Sequence, residues 1–473
     1  MGLTKCKFRV SVGRLRSESG APISIFATTA YEPQHHFLPE HADNPPQKIQ
    51  KAPILILIMQ DDNELPTEVL NTILRFSTSD LTTSLRSYNC DGQSEWELYD
   101  RALQDCTQYR LVDSTWNAVV TPFLYSILVL AAWPLEKLLR RAKAVDYHPE
   151  MIKALVISGC ADHHPVEEVE RQIFDILCSR LRQCSSISLL DVHLGGYTPL
   201  LESESEEFFG NIQSDSLTSV AILYTTIDVI SGAISGLGTR SSQLKELVLY
   251  SVYWDAAQLA PSVPFVFPSL NSLTMHWEWP PGLGRTPFAQ LFSTLVLGEG
   301  NGSAAPLRDL TISGILDLDA PHISTLLSSY NIGITLTSIQ LNLPPSLTTS
   351  TLFEALPTTI LGLCPVLTRF LYFAWCPTSL LYGLPPRLKE FGVTIVHIAG
   401  PEAASLLTTI MPLIELVKEP RFRKGIQKLH IQWALFQPPG AERRLRDACV
   451  EEGVEFSSIE ASTIAKPVWS SGL

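Results

Sequence analysis

Four side chains able to bind a metal crowd into five positions, at Cys160, Asp162, His163 and His164. A structural zinc site needs four ligands converging tetrahedrally, with the ligand pairs spaced apart along the chain. Adjacent histidines in a loop cannot easily aim at one ion, and no second cluster completes the set. The group reads as a polar turn after a strand over residues 154–158. The run Gly232-Ala233-Ile234-Ser235-Gly236-Leu237-Gly238 is glycine-rich. It lacks the Lys-Ser/Thr that follows a phosphate loop and the GxGxxG spacing of a dinucleotide fold, so it reads as a helix end with turn glycines. No GxSxG elbow, HExxH helix or kinase signature is present. No catalytic, cofactor-binding or metal-binding residue is therefore assigned, and a non-enzymatic protein without a cofactor is expected.

Nine cysteines, an odd number with no CxxC pair, are scattered from Cys6 to Cys449. Such usage fits reduced core thiols of the cytosol or nucleus, which empties the sequon Asn301-Gly302-Ser303 of consequence. A net charge of -13 argues against a general nucleic-acid binder, because neutralising phosphates needs an excess of Lys and Arg. The apolar run Ala52 to Met59 is far short of the ~20 residues that cross a bilayer. A protein partner is expected, with no nucleic acid and no membrane. With 473 residues and 45% hydrophobic composition, the chain can fill an elongated repeat array with a small domain attached.

The elements that would position a binding surface follow from periodicity. Residues 1–60 mix Pro, His, Gln and charge without a period and read as a disordered or weakly ordered leader, with Ile54 to Met59 as an added strand. The basic residues Lys5 to Arg16 come without a clean amphipathic helix, so a mitochondrial presequence is not favoured. From Leu65 to Phe76, Pro66 opens a helix whose Leu65, Val69, Leu70, Ile73 and Leu74 share one face. A capping box at Ser94-Glu95-Trp96-Glu97 starts a second helix. A third begins near Tyr109, carries Leu111, Val112 and Trp116 on one side, and stops at Pro122.

The pattern Leu65-Pro66-x-Glu68-Val69-Leu70-x-x-Ile73-Leu74, followed by Arg110-Leu111-Val112-Asp113-Ser114-Thr115-Trp116-Asn117, resembles an F-box. Its spacing is longer than in a compact F-box, and Asp113 stands where that family often has Cys. The resemblance implies a three-helix unit over residues 61–126 that docks a Skp-type adaptor of a cullin-RING ubiquitin ligase. Leu65, Pro66, Val69, Leu70, Ile73, Leu74, Leu111, Val112 and Trp116 would form the adaptor-binding set.

After Tyr125 an apolar-x-x-apolar-x-apolar pattern recurs, from Tyr125/Leu128/Leu130 and Ile152/Leu155/Ile157 through Leu244/Leu247/Leu249 to Ile426/Leu429/Ile431. Several intervals fall at about 26 to 31 residues, near the roughly 20–29 of leucine-rich repeats, with shorter and longer outliers, and helix-compatible runs often separate the matches. Residues 127–473 therefore resemble an irregular leucine-rich-repeat solenoid, an α/β fold with a curved parallel sheet and outer helices. Alternation aims the remaining strand positions away from the core, including Val248 and Leu371. Tyr250, His276, Arg369, Phe373, His430 and Gln432 are the candidate substrate-binding residues on that face. The overall expectation is a substrate-recognition adaptor of a ubiquitin ligase in cytoplasm or nucleus. Two alternatives stay open: a repeat scaffold whose F-box-like helices only cap the solenoid, and an unrecognised α/β enzyme.

Overall fold

A computed structural model describes residues 9–16, 22–29, 54–57, 114–131, 135–158, 167–193, 202–253, 265–277, 295–297, 306–314, 320–342, 351–396, 407, 409–420, 425–434 and 440–459. The chain divides into two compact units, one of residues 1–124 with 468–473 and the other of residues 125–467.

In the first unit, β1 (Arg9–Arg16) pairs antiparallel with β2 (Pro22–Thr29), and β2 pairs antiparallel with β3 (Ile54–Leu57). These strands lie within the stretch that composition marks as weakly ordered. β3 falls inside the strand expected over Ile54 to Met59. β1 and β2 had no signal beyond their β-branched and aromatic residues, which suit a pleated surface. The helices expected from Leu65 to Phe76, after Ser94 and around Leu111 lie outside the described residues. Helix α1 (Ser114–Ser126) runs on past Pro122, where a stop was expected. Thr121 Oγ1 donates to the Asn117 carbonyl oxygen at 2.6 Å within that turn.

The second unit is built on a twelve-stranded parallel sheet whose strands follow one another in chain order. They are β4 (Ile127–Ala131), β5 (Ala154–Ser158), β6 (Leu189–His193), β7 (Ser219–Thr226), β8 (Glu246–Tyr253), β10 (Ser272–Trp277), β12 (Asp309–Ser313), β13 (Ser338–Asn342), β14 (Arg369–Trp375), β15 (Glu390–Val396), β16 (Lys428–Ala434) and β17 (Glu455–Ile459). A separate short pair joins β9 (Phe265–Phe267) to β11 (Leu295–Leu297). Parallel neighbours need crossover connections. Helices supply several of them: α2 (Leu135–Tyr147), α3 (Glu167–Gln183), α4 (Glu202–Gly210), α5 (Ile227–Leu237), α6 (Ala320–Ser328), α7 (Thr351–Leu363), α8 (Thr378–Tyr382), α9 (Met411–Lys418) and α10 (Ala441–Glu451).

Every instance of the three-anchor pattern coincides with a strand of this sheet. The register stacks the second anchors in one row, Leu128, Leu155, Leu190, Val220, Leu247, Leu273, Leu310, Ile339, Phe370, Phe391 and Leu429. These rows form one core cluster with helix residues such as Leu138, Leu177, Phe208 and Leu445. Just before the strands, a backbone ladder passes from unit to unit. Ser188 donates to Lys153, Thr218 to Ser188, Lys245 to Thr218, and so on to Glu455 on Gln427, at 2.7 to 2.9 Å. Strand β17 extends the sheet beyond the last pattern match. Only Phe456 continues an anchor row there, while Gly453 and Ser458 occupy the positions where the pattern requires apolar residues.

The glycine-rich run closes α5, as its reading as a helix end anticipated, and one of its glycines has a further role. Gly236 lies inside α5 against the backbone of α4, where a Cβ would collide with the Glu206 carbonyl oxygen. Only the last glycine, Gly238 at φ 53°, makes a turn that side chains resist. Gly333 repeats the device farther along the chain, with the Leu363 carbonyl oxygen 2.5 Å from where its Cβ would sit. Glycines thus set how closely adjacent units stack.

Candidate protein-binding face

The sheet face turned away from the core cluster presents three residues per strand, and the parallel register aligns them into rows. The middle row reads Val129, Val156, Asp191, Ala221, Val248, Thr274, Thr311, Gln340, Leu371, Gly392, His430 and Ser457. From Val129 to Val248 every member is at most 3% exposed. Thr274, Thr311 and Gln340 are half-buried.

Asp191 is the anomaly of the buried half. It is 2% exposed, and its Oδ1 has no hydrogen-bond partner. Burial alone pushes its carboxyl from 3.8 up to about 8. Taking a carboxylate out of water without a partner costs more than keeping it protonated.

At the other end the row nearest the strand starts is charged and paired across strands. Arg369 on β14 spreads its guanidinium over three strands. Its Nε lies 3.2 Å from Glu390 Oε2, Nη1 donates to Ser338 Oγ at 3.2 Å, and Nη2 donates to Gln340 Oε1 at 3.3 Å. Lys428 Nζ lies 2.6 Å from Glu455 Oε1. The hydrogen bond and charge of Lys428 hold the Glu455 carboxyl below its usual range. Asp309 joins the row from β12. Burial raises its carboxyl, opposed by a Ser338 hydrogen bond and the Arg369 charge.

His430 sits against this row with its side chain 10% exposed, Nε2 3.5 Å from Glu390 Oε2, and neither ring nitrogen in a hydrogen bond. Burial, then the Lys428 charge, lowers its pKa from 6.5, with Glu390 opposing. The third row adds two further contacts. His276 Nδ1 lies 2.6 Å from Ser313 Oγ, and Thr394 Oγ1 donates to Gln432 Oε1 at 2.6 Å.

The expected substrate-binding residues therefore divide. His276, Arg369 and Gln432 lie half-buried on the outer face. His430 is there too but nearly covered. Phe373 is a correction: it is 1% exposed and offers no ring to a partner. The pairing of β14 with β15 slips between Tyr372 and Trp375, so Phe373 faces no β15 residue. Its ring and Leu371 instead lie across Gly392. A Cβ there would sit 2.7 Å from Leu371 Cδ2, 3.1 Å from Phe373 Cζ and 3.2 Å from His430 Cβ. Leu371 and Val248, both 2% exposed, likewise leave the surface on which alternation had placed them.

Tyr250 lies in β8 and Trp116 in α1, but their side chains fall outside the description. Leu65, Pro66, Val69, Leu70, Ile73, Leu74, Leu111 and Val112 lie outside the described residues altogether. Asp191, Glu390 and Gly392 were not singled out from sequence. The signal for the first was an acid between two anchors, Leu190 and Val192.

Among the described residues no group of three His, Cys, Asp or Glu is placed to hold a metal. Cys160, Asp162, His163 and His164 lie outside that set. Burial raises the Cys178 and Cys449 thiols to about 11 and those of Cys184 and Cys364 to about 12, which leaves them unreactive. An open cleft of about 930 Å³ runs along α3, lined by Glu168, Arg171, Asp175 and Arg180 among others. Two of its charges are paired, Arg171 with Asp175 at 3.3 Å and Arg180 with Asp146. No described helix is long and apolar enough to cross a membrane. Compared with known proteins, the chain matches no family model and no curated protein.

Proposed function

We propose that the chain is a substrate-recognition adaptor of a cullin-RING ubiquitin ligase. In this reading the F-box-like stretch, with Leu65, Pro66, Val69, Leu70, Ile73 and Leu74 and then Leu111, Val112 and Trp116, docks a Skp-type adaptor. The strand-and-helix array that follows is a degenerate leucine-rich-repeat solenoid, and its outer sheet face holds a protein substrate. The observation that supports the array is the chain-order parallel sheet, whose neighbouring strands pair one unit at a time as in solenoids. The half-buried polar surface from β10 to β17 supplies hydrogen-bonding groups at fixed spacing.

The adaptor performs no bond chemistry. It raises the local concentration of substrate lysines near a charged conjugating enzyme, the gain that tethering gives to any bimolecular step. Capture from cell extract tests the reading. Tagged chain brings down a Skp-type adaptor, and Leu65→Asp combined with Pro66→Ala abolishes that capture while the parallel-sheet unit stays folded. Absence of the adaptor, or capture indifferent to the substitutions, rejects it.

A further inference from the structure

The described sheet ends on an open edge. β17 pairs with β16 over five residues without a register shift, and no described strand pairs with its other side. Glu455 N donates to the Gln427 carbonyl oxygen at 2.8 Å. By the alternation of a parallel pair, Glu455, Ser457 and Ile459 turn their backbone groups toward β16, and Phe456 and Ser458 carry theirs along the open edge. β17 has no proline, lysine or bulge to blunt that edge, and its one charge, Glu455, is held by Lys428.

The same end leaves apolar surface on the helix side. Phe456 is only partly buried against the core cluster, with the Arg446 guanidinium carbon 5.2 Å from its ring centre. On α10, Arg444 and Glu451 meet Met411 and Lys418 of α9. Glu442, Arg446 and Val450 recur every fourth residue on a different side of the helix, and Val450 is 71% exposed. Solenoid ends need a cover, because the last unit has no neighbour to bury its face.

We propose that a second copy of the chain covers this end, β17 pairing antiparallel with its counterpart about a two-fold axis at Ser457. That register sets Phe456 opposite Ser458 of the partner subunit, and the outward groups of both residues exchange four hydrogen bonds across the axis. The two Glu455 side chains then stand roughly 14 Å apart, where water and salt screen them. The helices agree with this register. α10 runs opposite to the strands it connects, and its Arg446 lies over Phe456, one residue from the axis. The axis therefore crosses α10 near Arg444, about two residues toward its start and midway between Glu442 and Arg446. The ion pair that Arg446 makes with Glu442 in each chain comes alongside the same pair of the other, opposite charges adjacent. Strand pairing alone buries less than the roughly 1,000 Å² a stable dimer needs, and the α10 stripe with Val450 supplies the remainder. A two-fold closes, so the assembly stops at two chains.

Sedimentation equilibrium of the purified full chain tests this, and a dimer is expected. Ser458→Pro removes an outward N–H at an edge position that accepts proline, and is expected to sediment as a monomer with unchanged circular dichroism. Arg446→Glu and Glu442→Arg each set like charges together and are expected to associate at least about tenfold more weakly. Mixed one to one they regain the dimer, since each supplies the sign the other lacks. That mixture decides the matter if Ser458→Pro does not fold. A parent chain that stays monomeric, a folded Ser458→Pro that dimerises as the parent does, or a mixture no more associated than its components overturns the proposal. The measurement uses the chain alone and is independent of adaptor capture.

Discussion

The middle row of the outer face changes character between β8 and β10. On the first five strands it is Val129, Val156, Asp191, Ala221 and Val248, sealed from water around one acid without a hydrogen bond. On the later strands it is mostly polar, and the row beside it is a ladder of Arg369, Glu390, Lys428 and Glu455. The core-facing anchors are alike in both halves. One backbone plan therefore serves two purposes, and the difference lies wholly in residues that the fold leaves free. Where these residues are apolar the face is closed by burial, and where they are polar they remain partly in water, with His430 the buried exception.

The same substitution in the two halves should separate them most. Val248→Asp places a charge in the sealed row and is expected to cost about 3 kcal/mol or more. Thr274→Asp, one strand along, should cost less than about 1 kcal/mol by the same denaturant titration. Equal costs would erase the distinction.

Asp191 gives the next largest effect, and its sign follows from the direction of its shift. The unfolded chain loses this proton near 3.8, while the fold retains it up to about 8. Between those values the native state binds more protons, so stability falls as pH rises, by up to roughly 1.4 kcal/mol per unit, and levels off above about 8. Asp191→Asn should flatten that slope in unfolding midpoints taken across the range. An unchanged slope would mean that the acid is not held neutral.

Gly392→Ala is expected to cost about 1–3 kcal/mol, since its methyl must displace Leu371, Phe373 and His430 together. A crystal structure of the variant would show which of the three yields. Glu390→Gln should cost least, at most about 1 kcal/mol and less in high salt. The Arg369 and Glu390 side chains remain 32% and 37% exposed, and Arg369 keeps Ser338 and Gln340.

The core side of the sheet was legible because it obeys a fixed spacing. Each apolar-x-x-apolar-x-apolar match marks a strand and its lead-in, as at Leu244/Leu247/Leu249. The reading stopped one strand early because Gly453 and Ser458 break the spacing while the backbone ladder to Gln427 and the Phe456 packing continue it. The outer face was less legible. Alternation tells which residues leave the core but not whether the surface they reach is open, so Phe373, Leu371 and Val248 were placed in water and are buried. Arg369 was read as a substrate contact and is held by side chains of the two neighbouring strands, β13 and β15. Glycine was the least readable residue. Gly236 and Gly392 act through an absent Cβ, whose meaning depends on neighbours 26 to 30 positions away at Gly210 and Glu206 or on adjacent strands.

The ligase reading turns on a purified binary complex. Full-length chain and a purified Skp-type adaptor should form a saturable one-to-one complex by titration calorimetry, weakened beyond detection by Leu65→Asp with Pro66→Ala. Thermal unfolding should show that the parallel-sheet unit is unaffected by that change. A chain that gives no heat with the adaptor, or a double variant that binds as the parent does, would contradict it.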